Sequence, residues 1–221
     1  MIPARQKRIL DGFVTQVREV FRHRLLSVTA YGSILTARFR PGHSDINLLV
    51  VVDPLDAGDL CAFRRRCSRA ARRHRIRCFF FTPSFIRQSA DTFPIEWREI
   101  SLRRMVLFGT DFFAEIPIRR EHLRLQIERE VKQNYLAFAQ ALARYSNLAD
   151  ALMDSVKPLE VLLRNVQEVF GTPTAEPPVT QEDLRKRPGP GRLRRMVAAH
   201  LAFLENLLQW CEENDRQGER I

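Results

Sequence analysis

Leu48-Leu49-Val50-Val51-Val52 is the stretch that most limits how this chain folds. Five apolar residues in a row, three of them β-branched, read as a strand buried in a sheet. The strand opens at Asp45-Ile46-Asn47 and closes at Asp53-Pro54, a turn pair. Residues 27–31 form a strand upstream of it. Residues 75–81, RIRCFFF, form one downstream. Residues 105–108 are apolar and short, an edge strand or extended link, and Gly109-Thr110-Asp111 is a turn.

Helical spacing fills most of the remainder. Leu10, Phe13, Val14, Val17, Val20, Phe21 and Leu25 mark an amphipathic helix over residues 4–25. Gly32-Ser33 is a turn, followed by a short helix over 34–39 that Pro41-Gly42 ends. A second long helix covers 60–73, with a start near Ala57 as the alternative. Thr82 caps a helix with Pro83 at its first position. Phe93-Pro94 opens another that runs through Ile100. From Glu121 onward, Leu123, Ile127, Val131, Tyr135, Phe138 and Leu142 recur every three to four residues. Residues 148–170 continue helically, interrupted near Lys157-Pro158, with Gly171 as C-cap. Residues 171–192 are a Pro-rich loop with a short helix at 181–185, and a last helix covers 193–214. The fold class is therefore α+β. A small mixed β-sheet flanked by helices occupies residues 1–111, and an all-α helical bundle occupies residues 112–221. Trp97 and Trp210 read as core residues.

Charge separates the same two parts. The formal net charge is +10. Residues 1–81 hold 16 Lys+Arg against 6 Asp+Glu, and the remainder is balanced at 20 and 20. An anionic partner for the front half, nucleotide or nucleic acid, follows from that asymmetry. Nearly all the cations are arginine, a bias that composition alone also produces. The arginines of residues 60–73 read first as a solvated helix face. The cysteines Cys61, Cys67, Cys78 and Cys211 lack zinc or redox spacing and read as thiols in a reducing cytoplasm. The first residues, MIPARQKRIL, are not followed by the long apolar core of a secretory leader, and no apolar run is long enough to cross a membrane.

Gly32-Ser33 follows the strand at 27–31, and about a dozen residues later Asp45-Ile46-Asn47 opens the buried strand. This pattern resembles the signature of the nucleotidyltransferase superfamily with a polymerase-β-like core. The mixed front half and helical back half are similar to the kanamycin-nucleotidyltransferase type. Phe93-Pro94-Ile95-Glu96, the stretch Val106 to Asp111, and Leu123-Arg124 with Glu128 follow such proteins in order and spacing. The resemblance extends over roughly residues 10–170.

The resemblance implies a nucleoside triphosphate, Mg²⁺ and an acceptor that the sequence does not name. Gly32 and Ser33 would hold the phosphate tail, with Arg38 and Ser44 beside it. Asp45 would hold metal, and Glu128 stands where the helical half supplies a general base. Strand alternation puts Asp45 and Asn47 on one side. Asn47, however, stands where the family has an acid. The strand at 75–81 offers no third carboxylate, and Asp91 and Glu96 come too late to sit on it. Loss of formal charge from a two-metal cluster weakens metal binding by several kcal/mol. The expectation is a degenerate site that binds nucleotide with weak or lost transfer. The alternatives are an active nucleotidyltransferase acting on a small molecule, protein or RNA, and a non-catalytic RNA- or protein-binding module. Simpler roles also exist. Asp45 can cap the turn before its strand, His43 can be a solvent-exposed turn residue, and Glu128 can be one acid on a charged helix. Several apolar helices with few capping residues leave room for a homodimer.

Overall fold

The computed structural model describes residues 2–37, 39–171 and 176–218, with side chains through Glu213. Arg38 and residues 172–175 of the Pro-rich loop lie outside them. The chain divides into two compact units, Met1–Ile118 and Arg119–Ile221.

The first unit is built on four strands: β1 (Leu25–Tyr31), β2 (Ile46–Val52), β3 (Ile76–Phe81) and β4 (Arg104–Gly109). Their order across the sheet is β3-β2-β1-β4. β1 runs antiparallel to β2 and β4, while β2 and β3 are parallel, so the sheet is mixed. The parallel pair is joined by α2 (Ala57–His74). Asp56 caps α2 by accepting from the Asp59 N–H at 2.9 Å. Arg75 ends it in the left-handed region at φ 54 and is thus a helix cap, not a strand residue.

β2 shows why its sequence is apolar throughout. Leu48, Val50 and Val52 pack with α1 (Ala4–Phe21) and α2, in a cluster that includes Leu10, Phe13, Val17, Phe21 and Cys67. Leu49 and Val51 face the other way, onto Ile86 of α3 (Pro83–Gln88), Trp97 and Ile100 of α4 (Pro94–Leu102), and Phe113. Both faces are covered, so alternation vanishes. Phe112, Phe113, Ile116 and Ile118 belong to this second cluster, which carries the unit past the turn at Asp111.

Three local expectations need correction. The first helix ends at Phe21, and a 3₁₀ turn over Arg22–Arg24 leads into β1 at Leu25. Leu25 is a strand residue because it pairs with Val52 and is buried. The segment after Gly32 is a single 3₁₀ turn, Gly32–Leu35, closed by the Thr36 N–H donating to the Ser33 carbonyl at 2.9 Å. Pro158 does not interrupt its helix.

The second unit holds α5 (Arg120–Arg144), α6 (Leu148–Phe170), the short α7 (Gln181–Arg185) and α8 (Pro190–Gly218). α6 is continuous through Pro158, because buried residues on both sides of the proline, from Leu152 and Val156 to Leu159 and Leu162, hold it in the bundle. A polar cluster lies inside. Ser155 Oγ donates to Asn134 Oδ1 at 2.6 Å and lies 2.8 Å from His200 Nε2, and Asn134 Nδ2 donates to the Ser155 carbonyl at 3.0 Å. Among the described residues, no helix is long and apolar enough to cross a membrane.

Candidate functional site

The motif residues of the first unit meet at one end of the sheet. β1 ends at Tyr31, and antiparallel pairing sets Tyr31 beside Asn47 near the start of β2. Parallel pairing sets Asn47 beside Arg77 of β3. On the far side of β1, Tyr31 pairs with Arg104. A row therefore crosses the sheet in the order Arg77, Asn47, Tyr31, Arg104. Paired residues share a face, so this row points to one side.

Gly32 follows directly and turns the chain. Its φ of +82 lies in the region that favours glycine, and a Cβ built there would stand 3.5 Å from the Asn47 Nδ2. The turn is thus folded against the Asn47 amide. Ser44 Oγ accepts from the Arg40 N–H at 3.0 Å, and the Ser44 N–H donates to the Arg40 carbonyl at 2.8 Å. Ser44 closes its own turn and lines a groove of about 310 Å³ that also carries Arg5, Arg73 and Arg75. Arg38 is not among the described residues.

Asp45 is held by cations. Its Oδ1 lies 2.7 Å from Arg75 and its Oδ2 lies 3.6 Å from Arg77. Register explains the convergence. Ile46 pairs with Ile76, so Asp45 and Arg75 precede adjacent parallel strands, and the Ile46 N–H donates to the Arg75 carbonyl at 2.8 Å. Arg104, at the other end of the row, is occupied by a bidentate ion pair, its Nε donating to both Asp111 oxygens at 2.9 Å. Those bonds hold the Asp111 carboxyl below its usual range. Burial pushes the Tyr31 phenol up, and the nearby Arg77 guanidinium opposes that shift.

The fit to magnesium follows from the donor set. Mg²⁺ needs hard oxygen ligands, among them at least one or two free carboxylates. The sheet end offers Asp45, already shared between two guanidiniums, and the neutral Asn47 amide. Arg77 stands on the adjacent strand, beside Asn47, and adds a positive charge there. Among the described residues, no group of three His, Cys, Asp or Glu side chains is placed to hold a metal ion. The residues present do not fit a paired magnesium centre.

Glu128 belongs to the second unit, on α5. Its carboxylate lies 2.5 Å from Lys132 Nζ in an i,i+4 pair, and Lys132 is also 3.7 Å from Glu212. Arg75 and Arg77 are the residues that a search for acids passes over. Their signal is visible in hindsight, since Arg77, Phe79 and Phe81 alternate along β3 and Arg75 directly precedes it. The pairing register that brings them to Asp45 is not.

The architecture has a solved counterpart. The crystal structure of spectinomycin adenyltransferase AAD(9) from Enterococcus faecialis, with ATP and spectinomycin, is similar to this chain with a TM-score of 0.52. The two share 11% identity, over 95% of this chain and 97% of that one. The chain shares the fold of that protein. At that identity the likeness is one of fold alone. No protein-family model matches the chain, and no curated protein matches it.

Proposed function

We propose that this chain is a nucleotide-binding protein of nucleotidyltransferase fold whose site does not assemble paired magnesium, so that nucleotidyl transfer is weak or lost. One observation carries the reading: the lone carboxylate of the motif, Asp45, is paired with Arg75 and Arg77. Nucleotidyl transfer builds charge on the oxygens in flight, and two divalent ions ordinarily bear it. A neutral amide, one shared carboxylate and an arginine in register do not replace them.

Nucleotide binding draws support from the Gly32 turn, from the surplus of positive charge in residues 1–81, and from the structural neighbour, which was crystallised with ATP. The acceptor named for that neighbour is not carried over, because at this identity nothing about an acceptor pocket transfers. Glu128, ion-paired with Lys132, has no assigned part in the reading.

The test is a melting-temperature titration of the full chain with ATP and other triphosphates, with and without Mg²⁺, alongside a pyrophosphate-release assay. A ligand at 100 times its dissociation constant adds about 2.7 kcal/mol of stability. Stabilisation without pyrophosphate release is expected. Magnesium-dependent stabilisation with release refutes the loss of activity. No response to any triphosphate refutes nucleotide binding.

A further inference from the structure

The Asp45 carboxylate lines a groove that Gly32, Ser33 and Asn47 do not. The groove has a volume of about 470 Å³ and lies between the second half of α2 and the start of β3. Arg64 and Arg72 of α2, Arg75 at its cap and Arg77 of β3 are among the residues that line it. Ser68 adds a hydroxyl, and Asp45 is the one acid. Four arginines against one acid among the lining residues leave a formal surplus of three positive charges. Among the described residues, neither Arg64 nor Arg72 has a carboxylate partner.

A solvated helix face accounts for Arg65, Arg69 and Arg73. Arg72, in the last turn of α2, also complements the helix dipole. Neither explanation covers side chains that come from a helix, its cap and a strand to share one concavity. Clustered along one groove, they set up a local positive field that favours an anion. Asp45 offsets one charge of four.

We propose that this groove is a metal-independent site for a linear oligophosphate, with Arg64, Arg72, Arg75 and Arg77 as its ligands. Guanidinium stays charged at any working pH and pairs with phosphate oxygens two at a time. The volume falls in the range of small-ligand sites. Asp45, paired with Arg75 and Arg77, then competes with the anion for them. Magnesium on the phosphates masks the charge that the arginines recognise, so Mg²⁺ weakens binding here. The inference rests on the nucleotide reading only in naming a nucleotide's phosphate tail as the source of the oligophosphate.

The experiment is isothermal calorimetry of the full chain with tripolyphosphate, in EDTA and in excess Mg²⁺. Binding in EDTA, weakened by Mg²⁺, is expected. Arg72→Gln and Arg77→Gln each lower affinity about tenfold, the scale of one charge-assisted hydrogen bond. Asp45→Asn raises it about fivefold, the scale of one nearby unit charge in water. A variant that merely loosened the structure would not tighten binding, and circular dichroism checks that each variant folds. No binding in EDTA, a requirement for Mg²⁺, or weaker binding by Asp45→Asn overturns the proposal. ATP binding without tripolyphosphate binding overturns it while the nucleotide reading stands. Tripolyphosphate binding without ATP binding supports the groove and removes the nucleotide reading. A single-stranded oligoribonucleotide that binds with steep salt dependence, where tripolyphosphate does not bind, overturns it in favour of a nucleic-acid backbone.

Discussion

Asn47→Asp puts a second acid beside Asp45, and the structure says why it should not bring a metal with it. Residue 47 lies beside Arg77 in the parallel register, and Asp45 already touches Arg75 and Arg77 at 2.7 and 3.6 Å. An ion bound to Asp45 at ordinary magnesium–oxygen distance would sit about 5 Å from both guanidiniums. The Asp45, Arg75 and Arg77 side chains are 33%, 48% and 68% exposed, so water sets the dielectric. A divalent ion and a guanidinium at that range repel by about 1.7 kcal/mol, and two guanidiniums by about 3 kcal/mol. That is a factor of roughly a hundred or more in metal affinity. We expect Asn47→Asp alone to bind metal weakly. The same change combined with Arg75→Gln and Arg77→Gln should bind about a hundredfold more tightly. The assay is a Mn²⁺ titration followed by the electron paramagnetic resonance signal of the free ion. If Asn47→Asp alone matches the triple variant, the arginines are not what excludes the metal, and the electrostatic reasoning fails.

His200 is fully buried, and burial pushes its pKa down to about 4 from 6.5. Its neighbours Ser155, Asn134 and Phe138 carry no charge. The unfolded chain therefore takes up the proton first. Stability is complete above about pH 6.5 and falls as the pH drops towards 4, by about 3 kcal/mol. Urea midpoints across that window should fall in the natural protein and stay flatter in His200→Gln; parallel losses would refute the assignment. The two strained glycines should differ sharply. Gly109→Ala puts a Cβ 1.9 Å from the Leu26 carbonyl oxygen at φ +75 and should cost more than about 3 kcal/mol. Gly32→Ala meets nothing nearer than 3.5 Å and should cost about 1–2 kcal/mol from backbone strain alone. Equal urea midpoints for the two would show that the close approach at Gly109 is not rigid.

Much of the fold can be read from local pattern. Thr82 does cap α3, accepting from the Phe85 N–H at 3.2 Å, with Pro83 first in the helix. The apolar run at Leu48–Val52 is the buried strand, and Leu123, Ile127, Val131 and Phe138 are the buried stripe of α5. These follow from spacing, which is a property of neighbours in sequence. Pro158 misleads because propensity describes an isolated helix, whereas packing on both sides of the proline keeps α6 whole. The candidate site was half legible. Gly32, Asp45 and Asn47 announce themselves by type and spacing. Arg75 and Arg77 do not, and they decide the site's charge.

The sequence by itself determined the main strands and helices, which half carries the positive charge, and that Asn47 follows Asp45 at the start of the buried strand. Periodicity, composition and residue type are local quantities, and they need no coordinates. Only the tertiary structure decided which side chains stand beside Asp45 and Asn47. Asp45 and Arg75 are thirty residues apart in the chain, and a one-residue slip between β2 and β3 would part Asn47 from Arg77. Register is set by burial of Leu48, Val50 and Val52 on one face and Leu49 and Val51 on the other. The charge of the candidate site is thus a consequence of how the core packs.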